Sequence, residues 1–270
     1  MRAVERFAPA KINCFLEVLN RRPDGYHELE TVFHSLALGD QLRLRWGSRA
    51  IRIHAGPDPI PEDADNIAWQ AVLGFHQAIG REPDVQLDLY KAIPAGAGLG
   101  GGSSDAAAAL LACQELYDQP LTSRQLLGIA RRLGADVAFF LTAGCAHALG
   151  RGDDLHPLPT LHHDITLVLP PTRLATPRVF RALTGSERGP RVACGAEELA
   201  RRARYDLPGL LHNRLTAAAC RLDGSLAACL QWLQARHGGT SMSGSGTTCF
   251  VLGKLDVAPP GCRLIDTRLQ

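Results

Sequence analysis

At 270 residues, with 46% hydrophobic and 21% charged residues, the chain suits a globular protein of one large or two modest domains with a packed core. Its net charge of +2, with Arg, Asp and Glu interspersed, gives no basic field that would gather nucleic acid or an anionic membrane, so neither partner is expected. The first residues lack an apolar signal core, and no stretch reaches the roughly 18–20 uncharged residues that span a bilayer, so a cytoplasmic location is expected.

From Arg6 to Leu19 and from Glu30 to Trp46 the apolar residues tend to alternate, with the turn formers Arg22-Pro-Asp-Gly-Tyr26 between them. This predicts early antiparallel strands. Asp65-Asn66 precedes Ile67, Ala71, Phe75 and Ile79 at four-residue spacing, the pattern of a capped amphipathic helix. Val85, Leu87 and Leu89 alternate again and predict a strand that delivers the chain to Pro94. A helix is expected over Thr122–Leu133, closed by Gly134.

Turn formers and charge around Gly150–Asp154 and Pro157–Pro159 place a domain boundary near residue 158, dividing the chain into 1–158 and 159–270. Beyond it, Ile165–Leu169 reads as a strand, and helical periodicity runs over Ala196–Ala203 and Leu210–Arg236. The segment Ser241-Met-Ser-Gly-Ser-Gly-Thr-Thr248 then leads into strand-like Cys249–Leu252. Strands and helices mixed without a run of parallel units favour an α+β fold over a doubly wound sheet. The eight cysteines, Cys14, Cys113, Cys145, Cys194, Cys220, Cys229, Cys249 and Cys262, include no Cys-x-x-Cys pair and read as small core residues. The tandem His162-His163 reads as a solvated loop pair rather than a metal site.

The most informative stretch is Pro94-Ala-Gly-Ala-Gly-Leu-Gly-Gly-Gly-Ser-Ser-Asp105, with five glycines in seven residues between a strand and an alanine-rich helix. Glycine lacks a Cβ, so such a run can take positive φ and turn several N–H groups toward one anion. A helix beginning at Ser103 or Ser104 would add unpaired N–H groups and the positive end of its dipole. The stretch predicts a phosphate cradle. Gly96 to Gly101 satisfies G-x-G-x-x-G, but no strand bearing an acidic residue follows the helix, as a dinucleotide site requires; Asp118–Arg124 forms a turn into another helix. No Gly-Lys-Ser/Thr ends the run, and the protein-kinase motifs are absent.

The glycine loop Pro94–Ala107, the lysine of Ala8-Pro-Ala-Lys-Ile-Asn13 and the segment Ser241–Thr248 together resemble the three motifs of the GHMP small-molecule kinases. Within that superfamily, Ala10–Asn13, Pro23-Asp-Gly-Tyr-His-Glu28, Leu133-Gly-Ala-Asp-Val137 and Met242–Thr247 are similar to the branch acting on a cytidyl-linked methylerythritol. The resemblance implies a two-domain α+β GHMP kinase fold, with residues 1–158 as the ATP-binding domain, 159–270 as the C-terminal domain and the active site in the cleft between them. It implies transfer of the ATP γ-phosphoryl group to the 2-hydroxyl of the methylerythritol part, in the non-mevalonate route to isopentenyl diphosphate. Mg²⁺ accompanies such ATP chemistry; its ligands are open, with Ser104 a candidate directly or through water.

Residue by residue, the resemblance makes Asp136 the carboxylate that accepts the hydroxyl proton and Lys11 the cation that keeps it ionised and stabilises developing charge. Alone, Asp136 reads equally well as a cap of Val137–Leu141, and Lys11 as a surface lysine on an edge strand. ATP is assigned to Pro94, Ala95, Gly96, Ala97, Gly98, Leu99, Gly100, Gly101, Gly102, Ser103 and Ser104, with Asn66 near the adenine, although an N-cap role suffices for Asn66. The cytidyl substrate is assigned to Asn13, Tyr26, His27, Thr176 and Phe180, with Phe180 the stacking ring. A turn tyrosine and a core phenylalanine are the plain alternatives. The stretch 188–204 carries no feature tied to the family, and both a monomer and a homodimer are compatible with the chain.

Three rival functions differ in what they require. A GHMP kinase for mevalonate, homoserine or a sugar has no need of Tyr26, His27 or Phe180. A nicotinamide-dependent oxidoreductase would survive loss of Asp136. A regulatory nucleotide-binding module would bind ATP and transfer nothing.

Overall fold

The computed structural model describes residues 2–54, 56, 58–142, 144–189 and 196–270, so Cys194 and most of the first half of the 188–204 stretch lie outside the described residues. Two long strands open the chain, β1 (Ala3–Arg21) and β2 (His27–Trp46), separated by the expected turn, where Gly25 takes φ 87°. Alternation survives at their outer parts, as in Gln41–Leu44, but from Ala10 to Leu19 every residue of β1 is buried. That continuous burial is the mark of a strand covered on both faces.

Next come β3 (Ala50–His54) and α1 (Ile67–Ala78), whose N-cap Asn66 accepts a hydrogen bond from the Ala68 N–H at 2.9 Å. Strand β4 (Val85–Tyr90) enters the glycine loop, and α2 (Gly101–Leu116) leaves it. The helix therefore starts earlier than the Ser103 or Ser104 expected from sequence. Glycine has low helix propensity, but Gly100 in the left-handed region (φ 74°) turns the chain so that Gly101 and Gly102 already lie in the first turn. Helix α3 (Ser123–Leu133) opens on a capping box between Thr122 and Gln125, and α4 (Ala135–Thr142) follows directly.

The later elements are β5 (Cys145–Gly150), β6 (Asp154–Leu158), β7 (Asp164–Leu169), α5 (Thr176–Arg181), α6 (Ala196–Tyr205), α7 (Leu207–Leu210) and β8 (His212–Asn213). After them come α8 (Thr216–Leu222), α9 (Gly224–Gln234), β9 (Thr240–Met242), β10 (Cys249–Leu252) and β11 (Arg263–Arg268). The periodic stretch from Leu210 to Arg236 is thus broken rather than one helix. Asp223 ends α8 in extended backbone, and its carboxylate accepts from the N–H groups of Ser225 and Leu226 to cap α9. His212 and Asn213 leave helical geometry to pair with β1.

The chain packs into two compact units, neither contiguous in sequence. The first comprises residues 1–10, 38–95 and 100–143; the second comprises 11–37, 96–99 and 144–270. This differs from a single cut at residue 158, because β1 and β2 each contribute to both units. In the first unit β4 pairs antiparallel with β2 (Leu42 opposite Leu89) and parallel with β3 (Ile51 opposite Leu87), and α1 packs on α2 and α3. Its interior includes the fully buried Phe75, Leu87, Leu110 and Phe139. In the second unit the antiparallel sheet β11-β7-β10-β9 and the helices α5, α8 and α9 enclose Leu16, Val168, Val179, Leu226, Leu233 and Met242. Truncating a fully buried ring such as Phe139 or Phe250 to alanine costs about 3–5 kcal/mol.

The described cysteines are free thiols, and those at positions 14, 113, 145, 229 and 249 are buried. Burial pushes the Cys145 thiol up to about 12. His162 and His163 are exposed in a loop. No helix among the described residues is long and apolar enough to cross a membrane.

Candidate active site

The glycine loop alternates kinks with anchors. Gly96, Gly98 and Gly100 take φ of 64°, 79° and 74°, while Ala97 and Leu99 between them are buried. Each anchor residue is tied through its backbone: the Ala97 carbonyl accepts from Thr248 N–H at 3.4 Å, and the Leu99 carbonyl accepts from Lys11 N–H at 2.9 Å. Gly98 has no room for a side chain, since a Cβ there would lie 2.5 Å from the Ser243 carbonyl oxygen. Where the loop meets α2, the Ser104 N–H closes the first helical bond onto Gly100 O at 2.9 Å, so the preceding N–H groups have no intrahelical acceptor. The Ser104 hydroxyl is buried without a hydrogen-bond partner among the described residues.

Lys11 and Asn13 lie two apart on β1 and so share a face. Both are buried, which removes the surface-lysine alternative for Lys11. The Lys11 ammonium donates to Asn13 Oδ1 at 2.8 Å and sits 5.2 Å from the centre of the Phe33 ring. The Asn13 amide in turn donates to Thr31 Oγ1 at 2.8 Å, so its oxygen is aimed at the ammonium and its nitrogen away from it.

The segment Ser241–Thr248 folds back on itself, with Ser243 N–H bonded to Thr248 O and Gly246 N–H to Ser243 O, each at 2.9 Å. Gly244 (φ 57°) comes close to the β1 pair: a Cβ on it would lie 3.4 Å from Lys11 Nζ and 3.6 Å from Asn13 Oδ1. The Ser243 hydroxyl donates to Gly98 O at 3.0 Å. The three stretches that carried the resemblance are therefore neighbours within the second unit, at residues 11–13, 97–99 and 243–248.

Phe180 on α5 stacks with His27, ring centres 5.3 Å apart and planes 27° from parallel. Burial, with the charges of Arg188 and Arg21, lowers the His27 pKa, so its imidazole is neutral at neutral pH and offers one donor and one acceptor. Tyr26 is exposed, with the Arg151 guanidinium 5.3 Å from its ring centre. Thr176 starts α5 and shares a hydrogen bond with Ser245 Oγ at 2.8 Å. Asp136 occupies the first turn of α4, inside the helix rather than at its cap, where a carboxylate favours the positive helix end. Asn66 uses both ends of its amide structurally, for the Ala68 N–H and for the Pro61 carbonyl at 2.8 Å.

Sequence reasoning missed one support of this site, Asn213, and an ion pair that its chain neighbour Arg214 makes with the buried Glu17. Asn213 donates through one amide nitrogen to the carbonyls of Met242 (2.7 Å) and Gly244 (2.8 Å), so it holds the late glycine segment in place. Glu17, buried on β1, takes a two-pronged contact from Arg214 at 2.6 and 2.7 Å, with His212 Nε2 3.2 Å away. Burial works to raise the Glu17 pKa, but the contacts with His212 and Arg214 outweigh it and hold the carboxyl at about 2. Neither residue lies in a local motif, and only the pairing of β8 with β1 brings them into play.

The loop residues 97–99, the buried Lys11 and the Ser243–Thr248 turn thus meet in one compact unit. The profile of the family "GHMP kinases N terminal domain" matches residues 66–144, and the fold is that of the GHMP kinases. Over 252 residues the chain is 38% identical to the 4-diphosphocytidyl-2-C-methyl-D-erythritol kinase of Desulfitobacterium hafniense (strain Y51), spanning 92% of this chain and 86% of that one. The enzyme of that name from Mycobacterium marinum (strain ATCC BAA-535 / M) is 40% identical over 258 residues, 90% of this chain and 79% of its own. A crystal structure of 4-(cytidine 5'-diphospho)-2C-methyl-D-erythritol kinase superimposes with a TM-score of 0.82 at 36% identity, covering 98% of this chain and 99% of that one. The chain belongs to the 4-diphosphocytidyl-2-C-methyl-D-erythritol kinase family, and it is a small-molecule kinase.

Proposed function

We propose that this enzyme phosphorylates the 2-hydroxyl of 4-diphosphocytidyl-2-C-methyl-D-erythritol with ATP, giving the 2-phosphate and ADP, as a cytoplasmic step of the non-mevalonate route to isopentenyl diphosphate. The observation that carries this reading is the meeting of Lys11 and Asn13, the loop residues Ala97–Leu99 and the Ser243–Thr248 turn in one compact unit. In this reading residues 1–158 supply ATP binding and 159–270 the C-terminal GHMP kinase domain.

Phosphoryl transfer spreads charge over the γ-phosphoryl oxygens, so catalysis needs positioned donors and cations. The N–H groups from Gly96 to Ser103 supply donors to the ATP phosphates, with Pro94 and Ala95 shaping the entry; the Ala95 N–H is already held by Asp58 at 2.9 Å. Asn66 contributes by fixing the start of α1, next to Gly102 of α2. Asp136 orients the tertiary alcohol and accepts its proton, and the Lys11 ammonium meets the charge that develops. Asn13 contacts the methylerythritol part. His27, Phe180, Tyr26 and Thr176 hold the cytidyl part, where a stacking ring and a neutral imidazole fit a base better than a short alcohol.

Mg²⁺ fits the start of α2. Among the described residues no cluster of three or more His, Cys, Asp and Glu side chains could hold a metal ion; in this reading the ion arrives on the phosphates, with the unpaired Ser104 hydroxyl as its protein contact, directly or through water. When bound it neutralises phosphate charge.

The test is product identity by ³¹P NMR after incubation with Mg²⁺-ATP and the cytidyl substrate. The proposal expects one new monophosphate ester on a product that keeps its diphosphate, formed in step with ADP. ADP without a new ester, or no ADP at all, contradicts it.

A further inference from the structure

We propose that Asp40, Lys91 and Asp105 form a buried clamp that sets the spacing between the two stems of the phosphate loop, making them positioning residues for the nucleotide. This rests on the reading of Pro94–Ser104 as the ATP cradle.

Lys91 ends the approach to the loop directly after β4, and Asp105 lies on the far side of it, in the second turn of α2. The Lys91 ammonium contacts Asp105 Oδ2 and Asp40 Oδ2 together, and so ties the entering stem to the leaving one. Asp40, on β2, also accepts from the Ala92 N–H at 2.6 Å and the Ile93 N–H at 2.8 Å, the residues that lead into Pro94. The entering stem is thus held at three consecutive positions. Its Ile93 side chain packs against Gly101, where a Cβ would meet Ile93 Cγ2 at 3.1 Å. The gap between the stems is closed to this tolerance.

The composition of the clamp argues for geometry over stability. All three groups are buried, and a buried ion cluster seldom improves on well-packed apolar side chains of similar volume, because desolvation consumes the Coulombic gain. The cluster is also unbalanced, with two carboxyls for one ammonium, and Asp105 Oδ1 has no hydrogen-bond partner among the described residues. Burial, with the nearby Asp40, pushes the Asp105 carboxyl up to about 7 despite Lys91. What the polar trio provides is direction, since charge-assisted hydrogen bonds fix the stems at set distances, whereas apolar contacts let them slide.

The test compares Lys91→Met with the double variant Lys91→Met/Asp105→Leu, reading unfolding stability, ATP affinity by calorimetry, and KM and kcat. The expected result is an ATP affinity and ATP KM weakened by about tenfold to a hundredfold in both variants, the scale of a misplaced binding group, with KM for the alcohol unchanged. The double variant should recover stability relative to Lys91→Met without recovering ATP affinity. Unchanged ATP affinity in the folded variants overturns the clamp, and so does affinity that recovers in step with stability. If the wild-type chain itself binds no ATP, the reading of the loop falls and the clamp with it, a result distinct from the other two.

Discussion

The Ser243 hydroxyl donates to the Gly98 carbonyl at 3.0 Å, joining two glycine turns 145 residues apart in the chain. The contact is tight in both directions, because a Cβ on Gly98 would fall 2.5 Å from the Ser243 carbonyl oxygen. Gly98→Ala therefore combines a left-handed backbone with a backbone collision, and it should lower stability by about 2 kcal/mol or more and weaken ATP binding. Ser243→Ala, which only removes a hydrogen bond, should cost about 1 kcal/mol. Thermal unfolding and calorimetry with ATP check both; a Gly98→Ala protein as stable as wild type would show that the two turns have room to part.

Asp136→Asn keeps shape and removes the carboxylate proposed to accept the hydroxyl proton. Turnover should fall by about 10²–10⁴-fold while ATP affinity stays near wild type. Single-turnover kinetics beside equilibrium ATP binding separates the two quantities, and undiminished turnover would remove Asp136 from the chemistry.

What was legible in the sequence was local. Asn66 before Ile67 and Thr122 before Gln125 announce helix starts because a cap is a contact across two or three residues. The glycine loop was readable as a kinked connection from a strand into a helix for the same reason. Its junction with α2 was misjudged because glycine propensity argues against Gly101 and Gly102 as helix, while the left-handed Gly100 decides the matter. The two-residue strand His212–Asn213 has no periodicity to detect, and it exists only because Phe15 and Leu16 are there to pair with it. Asn213, and the trio Asp40, Lys91 and Asp105, were invisible because their partners lie far off in the chain, 51 residues in the case of Lys91 and Asp40. The chemical motifs were short-range and the supports that hold them were long-range.

Phe180→Ala and His27→Ala should each raise KM for the cytidyl substrate about tenfold, the worth of an aromatic contact, and leave KM for ATP unchanged. His27 carries a lowered pKa, so its neutral form persists below the ordinary imidazole range. Substrate affinity should then be flat above neutrality and weaken only on acidification below that range. Steady-state kinetics across pH tests this, and an affinity that rises as His27 becomes protonated would contradict it.

Glu17 gives the fold its own pH signature. Its pKa is depressed, so its bridge to Arg214 contributes fully above the ordinary glutamate range, and the contribution is lost as pH falls toward about 2. Arg214→Met should be markedly less stable than wild type at pH 7, and the difference should shrink on acidification. Denaturant unfolding at several pH values decides the point; a difference that stays constant with pH would mean that Arg214 matters through packing alone.

The most direct test of the account is ADP release with Mg²⁺-ATP, comparing 4-diphosphocytidyl-2-C-methyl-D-erythritol with mevalonate, homoserine and galactose at equal concentration. The account predicts turnover with the cytidyl substrate and none above background with the other three. Equal or faster turnover with any of those alcohols would keep the kinase and overturn the substrate.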